Sequence, residues 1–272
     1  MPKLHEVCYL RNATIAAIRD YYTFLSRLYL DEARVIIPPE AGWPEITSAD
    51  TEELGKTDEV VALLAHLPYI CADGDQNDKA HGAPDCFFAD WRFLIRSLVQ
   101  GGTNADELKV ITEGAEFYED APPDVIGLTA GADNPLFVLD TKHGIIHWYE
   151  CPGEIRDNAP YEPIEDDPYD WAPENEADWR NDAPAWGVTD FFDLLKEQFC
   201  ELKFIPINQH TVISVYMPRQ SRSEGMIPML QSIYREHGWP SLEHYRKQEC
   251  LAAVQQALEE RYPHEADFRR GQ

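Results

Sequence analysis

Apolar residues recur at helical spacing at Ile15, Ile18, Tyr22, Leu25 and Leu28, which predicts a helix over Ala13 to Leu30 with Asn12 as its cap. Val35-Ile36-Ile37 then reads as a short extended stretch ended by Pro38 and Pro39, since proline lacks the N–H that a continuing element needs. Gly42-Trp43-Pro44 marks a turn. Thr51 to Leu67 is expected to be helical again, with Val60, Leu63 and Leu64 on one side, a break at Gly55 and Pro68 at its end. A polar run from 72 to 84 reads as a loop. Phe87, Phe88, Trp91, Leu94, Ile95 and Leu98 predict a third helix, capped by Asp85 and stopped by Gly101-Gly102.

The clearest β pattern lies over Leu136 to Tyr149, where LFVLD and IIHWY flank a Thr-Lys-His-Gly turn. Gly144 supplies the positive φ that a tight hairpin requires. Further on, Thr189 or Asp190 is positioned to cap a helix bearing Phe192, Leu195, Phe199 and Leu202. A second hairpin is expected from Phe204–Ile207 and Thr211–Met217 around Asn208-Gln209. Helices follow over Ile227–His237 and Ser241–Tyr262, the last with Leu251, Val254 and Leu258 on one face. Helices on either side of a few hairpins, with no repeating βα unit, indicate a segregated α+β fold.

One segment breaks this patterning. Between Glu150 and Asp182 lie twelve acidic side chains, five prolines and two tryptophans, with only two arginines. Like charges and prolines disfavour a packed core, so an extended belt over the surface is expected. Trp171 and Trp179 either fold back as packing anchors or face a partner, and the cost of a bare indole in water favours packing. The acidity is also global: 23 basic against 49 acidic residues give a formal charge of −26 in 272 residues. Such a field repels phosphate backbones and anionic membranes and speeds encounter with basic proteins, although acidity also serves plain solubility. No apolar run is long enough to span a bilayer. The first residues lack a signal-peptide pattern and the six cysteines are scattered, so reduced thiols in a cytoplasmic protein are expected.

Candidate chemistry is sparse. Asp166, Asp167 and Asp170 spell the DDxxD pattern of class I terpene synthases, but Pro168 sits inside it and no second metal motif follows. Asp73, Asp75 and Asn77 match the start of a calcium loop whose glycine and glutamate positions hold Asp78 and Pro84. Cys71, His81 and Cys86, with Asp73 or Asp85, lack the paired spacing of a zinc site. His143 and His147 are separated by the Gly144 turn, and Asp140 is placed to bond the amides of that turn. Ser221 and Ser223, between Arg219 and Arg222, form a small basic patch. No nucleophile elbow, Walker loop or dinucleotide fingerprint occurs. No metal or cofactor is therefore expected.

The order of these pieces resembles a known family. A Pro-Pro-x-x-Gly-Trp-Pro turn precedes His66-Leu67-Pro68-Tyr69, then Asp140-Thr141-Lys142-His143-Gly144, an acidic stretch, and Trp186-Gly187-Val188-Thr189-Asp190-Phe191-Phe192-Asp193-Leu194-Leu195. This is similar to fungal members of the SUKH superfamily, which includes the cell-wall-assembly regulator of yeasts and bacterial toxin-immunity proteins. The resemblance covers residues 13 to 203. It implies a mostly antiparallel sheet with helices packed on one face, and a non-catalytic role in binding a partner protein. Residues 1–203 would form that domain, with an acidic insertion at about 150–185, and 204–272 a hairpin and helical extension packed on it. A basic partner would meet Asp140, Lys142, His143, Asp166, Asp167, Asp170, Trp171 and Trp179, along the belt and the sheet edge near the Asp140–Gly144 turn. The alternative is an enzyme or small-molecule binder assembled from Asp140, His147, Asp73 and His81.

Overall fold

The first amphipathic pattern folds as α1 (Arg11–Leu28), in a computed structural model that describes residues 1–71, 79–131, 134–157, 160–216 and 224–266. The polar loop expected at 72–84 and the Ser221/Ser223 patch therefore fall wholly or partly outside the described residues. Leu10, with no side-chain bond, takes the N-cap position and Asn12 lies within the first turn. Strand β1 (Val35–Ile36) pairs antiparallel with β2 (Tyr69–Ile70). Between them a 3-10 turn (Glu52–Leu54) ends at Gly55, whose φ of 65° breaks the helical run, and α2 (Asp58–His66) restarts with Thr57 as its cap.

Helix α3 (Trp91–Val99) begins later than its apolar spacing predicts. Asp90, not Asp85, caps it by accepting a hydrogen bond from the Phe93 N–H. Phe88 instead bridges to Thr129 beside the main sheet. Helix α4 (Ala105–Glu113), which hydrophobic spacing did not reveal, opens with a capping box between Asn104 and Glu107.

The main sheet is antiparallel throughout, in the order β3 (Val125–Gly127), β4 (Leu136–Asp140), β5 (Ile145–Tyr149), β6 (Ala185–Gly187). Gly144 has φ 75°, and a Cβ there would come within 2.5 Å of the Tyr9 backbone nitrogen. The hairpin turn is thus both left-handed and pressed against the N-terminal segment. It joins the two central strands, and the sheet edges are β3 and β6; the expected partner surface at a sheet edge beside this turn is corrected accordingly.

The acidic segment is not an extended belt. It contains α5 (Gly153–Arg156), α6 (Pro168–Trp171) and α7 (Glu174–Asp182). Pro168 and Pro173 stand at the starts of α6 and α7, where a missing N–H costs nothing. Helix α8 (Val188–Cys200) follows β6 directly, so Thr189 and Asp190 sit in its first turn and do not cap it. The second hairpin is β7 (Phe204–Pro206) with β8 (Val212–Ser214), and Asn208 Oδ1 accepts from the His210 and Thr211 amides between them. Helices α9 (Met226–Glu236), α10 (Lys247–Arg261) and α11 (Pro263–Ala266) follow.

Phe137, Leu139, Ile146 and Trp148 belong to one core with α1, α8 and the C-terminal helices. Phe191 of α8 meets Phe137 and Trp148 edge-on, at ring separations of 4.9 and 6.1 Å. The C-terminal part is stitched to that core: Trp239 Nε1 donates to the Phe199 carbonyl, and Lys247 Nζ to those of Ser26 and Leu30. The opposite face of the sheet is covered as well. There Val125 and Val138 pack with Phe117 and with Trp179 of α7. Among the described residues no helix is long and apolar enough to cross a membrane.

Candidate functional site

Asp140 closes β4 and is fully buried. One carboxylate oxygen accepts from the Lys142 and His143 amides at 2.8 and 2.9 Å, the turn bonding expected of an aspartate there. The other meets Arg180 and His143 Nδ1, each at 2.8 Å. Burial opposes ionisation of Asp140, but the His143 hydrogen bond and the Arg180 charge overcome it and hold the carboxyl well below the usual range.

Arg180 projects from α7 and is only 2% exposed. Its Nε and Nη2 donate to Glu176 at 3.0 and 2.8 Å, one turn earlier on the same helix. Its Nη1 reaches His147 Nε2 at 3.1 Å. The other His147 nitrogen, Nδ1, donates to the Ala183 carbonyl at 2.9 Å, which leaves Nε2 as the acceptor and the ring neutral. Burial, reinforced by Arg180, pushes His147 down to about 4. The guanidinium also lies over the rings of Trp179 and Trp171, 4.5 and 5.1 Å from their centroids. This cluster fastens α6 and α7 to the β4–β5 hairpin.

The clasp therefore brings together four of the eight residues expected to bind a partner. Asp140 and Trp179 are buried, and His143 and Trp171 half-buried, all engaged within the chain. The inward packing of Trp171 and Trp179 is the alternative that the cost of an exposed indole favoured, and Arg180 is the residue onto which they pack. Lys142 is exposed. Asp166 accepts from the Leu4 amide at 2.8 Å, Asp167 caps α6 through the Tyr169 amide, and Asp170 is exposed on α6. The Asp/His site does not assemble as expected. Asp140 and His147 meet through Arg180, whereas His81 lies against Phe87 and β8, and Asp73 is outside the described residues. Among the described residues, no three His, Cys, Asp or Glu side chains converge as metal ligands.

A sizeable cleft lies elsewhere, between the open end of the β4–β5 hairpin, the end of α4, α5 and the β7–β8 hairpin. Its volume is about 660 Å³, within the ~300–1,000 Å³ of small-ligand clefts. Ile111, Phe137, Trp148, Ile155 and Phe204 form an apolar floor, and Asp85, Glu116, Glu150 and Glu154 stand around it. All four carboxylate residues are exposed, and no lysine, arginine or histidine among the described residues lines the cleft. Tyr149 donates to Glu116 at 2.8 Å, and this bond raises the phenol to about 12. Asp85 and Glu150 have φ of 50° and 57°, a left-handed conformation rare outside glycine. None of the eight expected residues lines this cleft, nor do His147 or His81. Only the density of acidic residues around Glu150 marked it in the sequence, since its walls come from stretches scattered between Ala83 and Tyr216.

Comparison with known proteins found no matching family model, no matching curated protein and no matching solved structure, so the function must be read from this geometry.

Proposed function

We propose that this chain is a non-catalytic, SUKH-like interaction protein of the cytoplasm whose acidic surface binds a basic protein partner. One observation carries the reading: of the two arginines in the acidic segment, Arg180 is turned inside while most of the carboxylates stay outside, and the exposed Arg156 is paired with Asp157. Arg180 is enclosed by Asp140, Glu176 and the two indoles, while Glu162, Glu165, Asp167, Asp170, Glu174, Asp178 and Asp182 are exposed. Of these, Glu162 pairs with the N-terminal amine and Glu165 with Lys3. The remainder present a negative face on a rigid mount, with a net charge of −26 behind it.

Deleting the segment is a poor test, because Trp179, Arg180, Ala177 and Ile155 are buried. The clean variant combines Asp170→Asn, Glu174→Gln and Asp182→Asn, which leaves the clasp intact. With tagged chain as bait in native extract at about 0.1 M salt, a basic protein should be captured by the wild type and much less by the triple variant. Equal capture by both, or enrichment of acidic proteins only, contradicts the reading.

A further inference from the structure

The acidic face explains attraction but not selectivity, since any basic protein would feel it. The cleft beside it has the missing character. Its floor is apolar, so it favours a ligand with a bulky apolar part. Its four carboxylates come from four places in the chain: the loop at Asp85, the end of α4 at Glu116, the end of β5 at Glu150, and α5 at Glu154. A ligand with a single cation would satisfy one or two of them and leave the others facing one another. Several cations around an apolar centre match the arrangement. Glu116 is held by the Tyr149 hydroxyl, so one of the four charges is oriented before anything binds.

We propose that the cleft seats a short segment of the protein partner in which one bulky apolar side chain is flanked by lysine or arginine residues. The proposal rests on the reading of a basic protein partner and adds the place and sequence character of the contact. The apolar side chain packs against the half-buried Ile111, Pro135, Leu136 and Tyr216, with Trp148 beneath, and supplies most of the affinity. The flanking cations meet the ring of carboxylates and set the register.

The test is fluorescence anisotropy on the full chain with labelled peptides KRWRK, KRARK and EEWEE. KRWRK is expected to bind about tenfold or more tighter than KRARK, from burial of the indole, and EEWEE not to bind. Ala115→Trp, a substitution at an exposed position on the cleft wall, should abolish the preference for KRWRK by filling the cleft. Neutralising the ring together (Asp85→Asn, Glu116→Gln, Glu150→Gln, Glu154→Gln) should weaken KRWRK about tenfold. Circular dichroism and thermal unfolding confirm that each variant is folded, and either variant alone suffices if the other is not. Equal binding of KRWRK and KRARK, unchanged by Ala115→Trp but weakened by the Asp170, Glu174 and Asp182 substitutions, overturns the cleft and leaves the acidic-face reading standing. Tryptamine competing as well as KRWRK overturns it in favour of a small organic cation. No binding of either basic peptide overturns the cleft, and the native-extract capture then decides the acidic face separately.

Discussion

Arg180 is the residue on which the acidic segment turns from belt to helix. Its guanidinium is shared by Asp140, Glu176 and His147 and stacked by two indoles, with almost no solvent contact. Removing it leaves a buried carboxylate without a counter-charge. Arg180→Met should therefore destabilise the protein by about 3–5 kcal/mol, measured by chemical unfolding, a larger loss than its hydrophobic replacement would suggest. His147 gives the same cluster a pH dependence. Its folded value, pushed down to about 4 from an ordinary 6.5, means that the unfolded chain takes up a proton that the folded chain refuses. Stability from this residue is complete above about pH 6.5 and is lost as pH falls toward 4, by on the order of 3 kcal/mol. His147→Gln cannot titrate, so unfolding measured across this window should show a flatter pH profile than wild type.

At the scale of elements, the joints include backbone approaches and a further interior ion pair. Gly127 of β3 lies so close to α4 that a Cβ would fall 1.9 Å from the Thr112 carbonyl oxygen. Gly127→Ala should cost about 2–3 kcal/mol through forced separation of strand and helix, with a lowered thermal midpoint as the readout. Lys56 and Glu113, at 2.7 Å, link the loop before α2 to the end of α4, with side chains only 3% and 0% exposed. Burial drives both toward their neutral forms, lowering Lys56 and raising Glu113, against their mutual attraction. Lys56→Met alone should destabilise by about 3 kcal/mol, while pairing it with Glu113→Leu should recover most of the loss. The elements most legible in the sequence were those whose burial is one-sided. Three-four spacing gave α1, α2 and α8, whereas the β4–β5 hairpin, buried on both faces, was legible from two apolar runs flanking a glycine turn. Strands β3 and β6, three residues each, are too short to carry a period. Helix α4 was missed, and its sequence signal is the capping box of Asn104 and Glu107 rather than its apolar spacing. Helices α6 and α7 were hidden because their buried contacts are Arg180 and two indoles in a run that otherwise reads as solvated charge.

At the scale of the molecule, charge and shape divide the work. The aromatic core around Phe137, Trp148 and Phe191 ties the N-terminal, central and C-terminal parts together, so the surface can carry an excess of carboxylates without loss of the fold. The α+β class was legible from the sequence, whereas the acidic segment, expected as an extended belt, is helical. What spacing had no means to give was which carboxylates converge: Asp140 and Glu176 turn inward onto Arg180, while Asp85, Glu116, Glu150 and Glu154 gather around a cleft from distant stretches. The central claim is that a basic partner is drawn by this surface. The most direct measurement is the dissociation constant of the captured partner with purified wild-type chain and with the Asp170, Glu174 and Asp182 triple variant, titrated between about 0.1 and 1 M salt. Screening shortens from about 10 to 3 Å over that range. The account predicts affinity that falls steeply with salt in the wild type and less steeply in the variant. An affinity that is indifferent to salt and identical in the two proteins would contradict it.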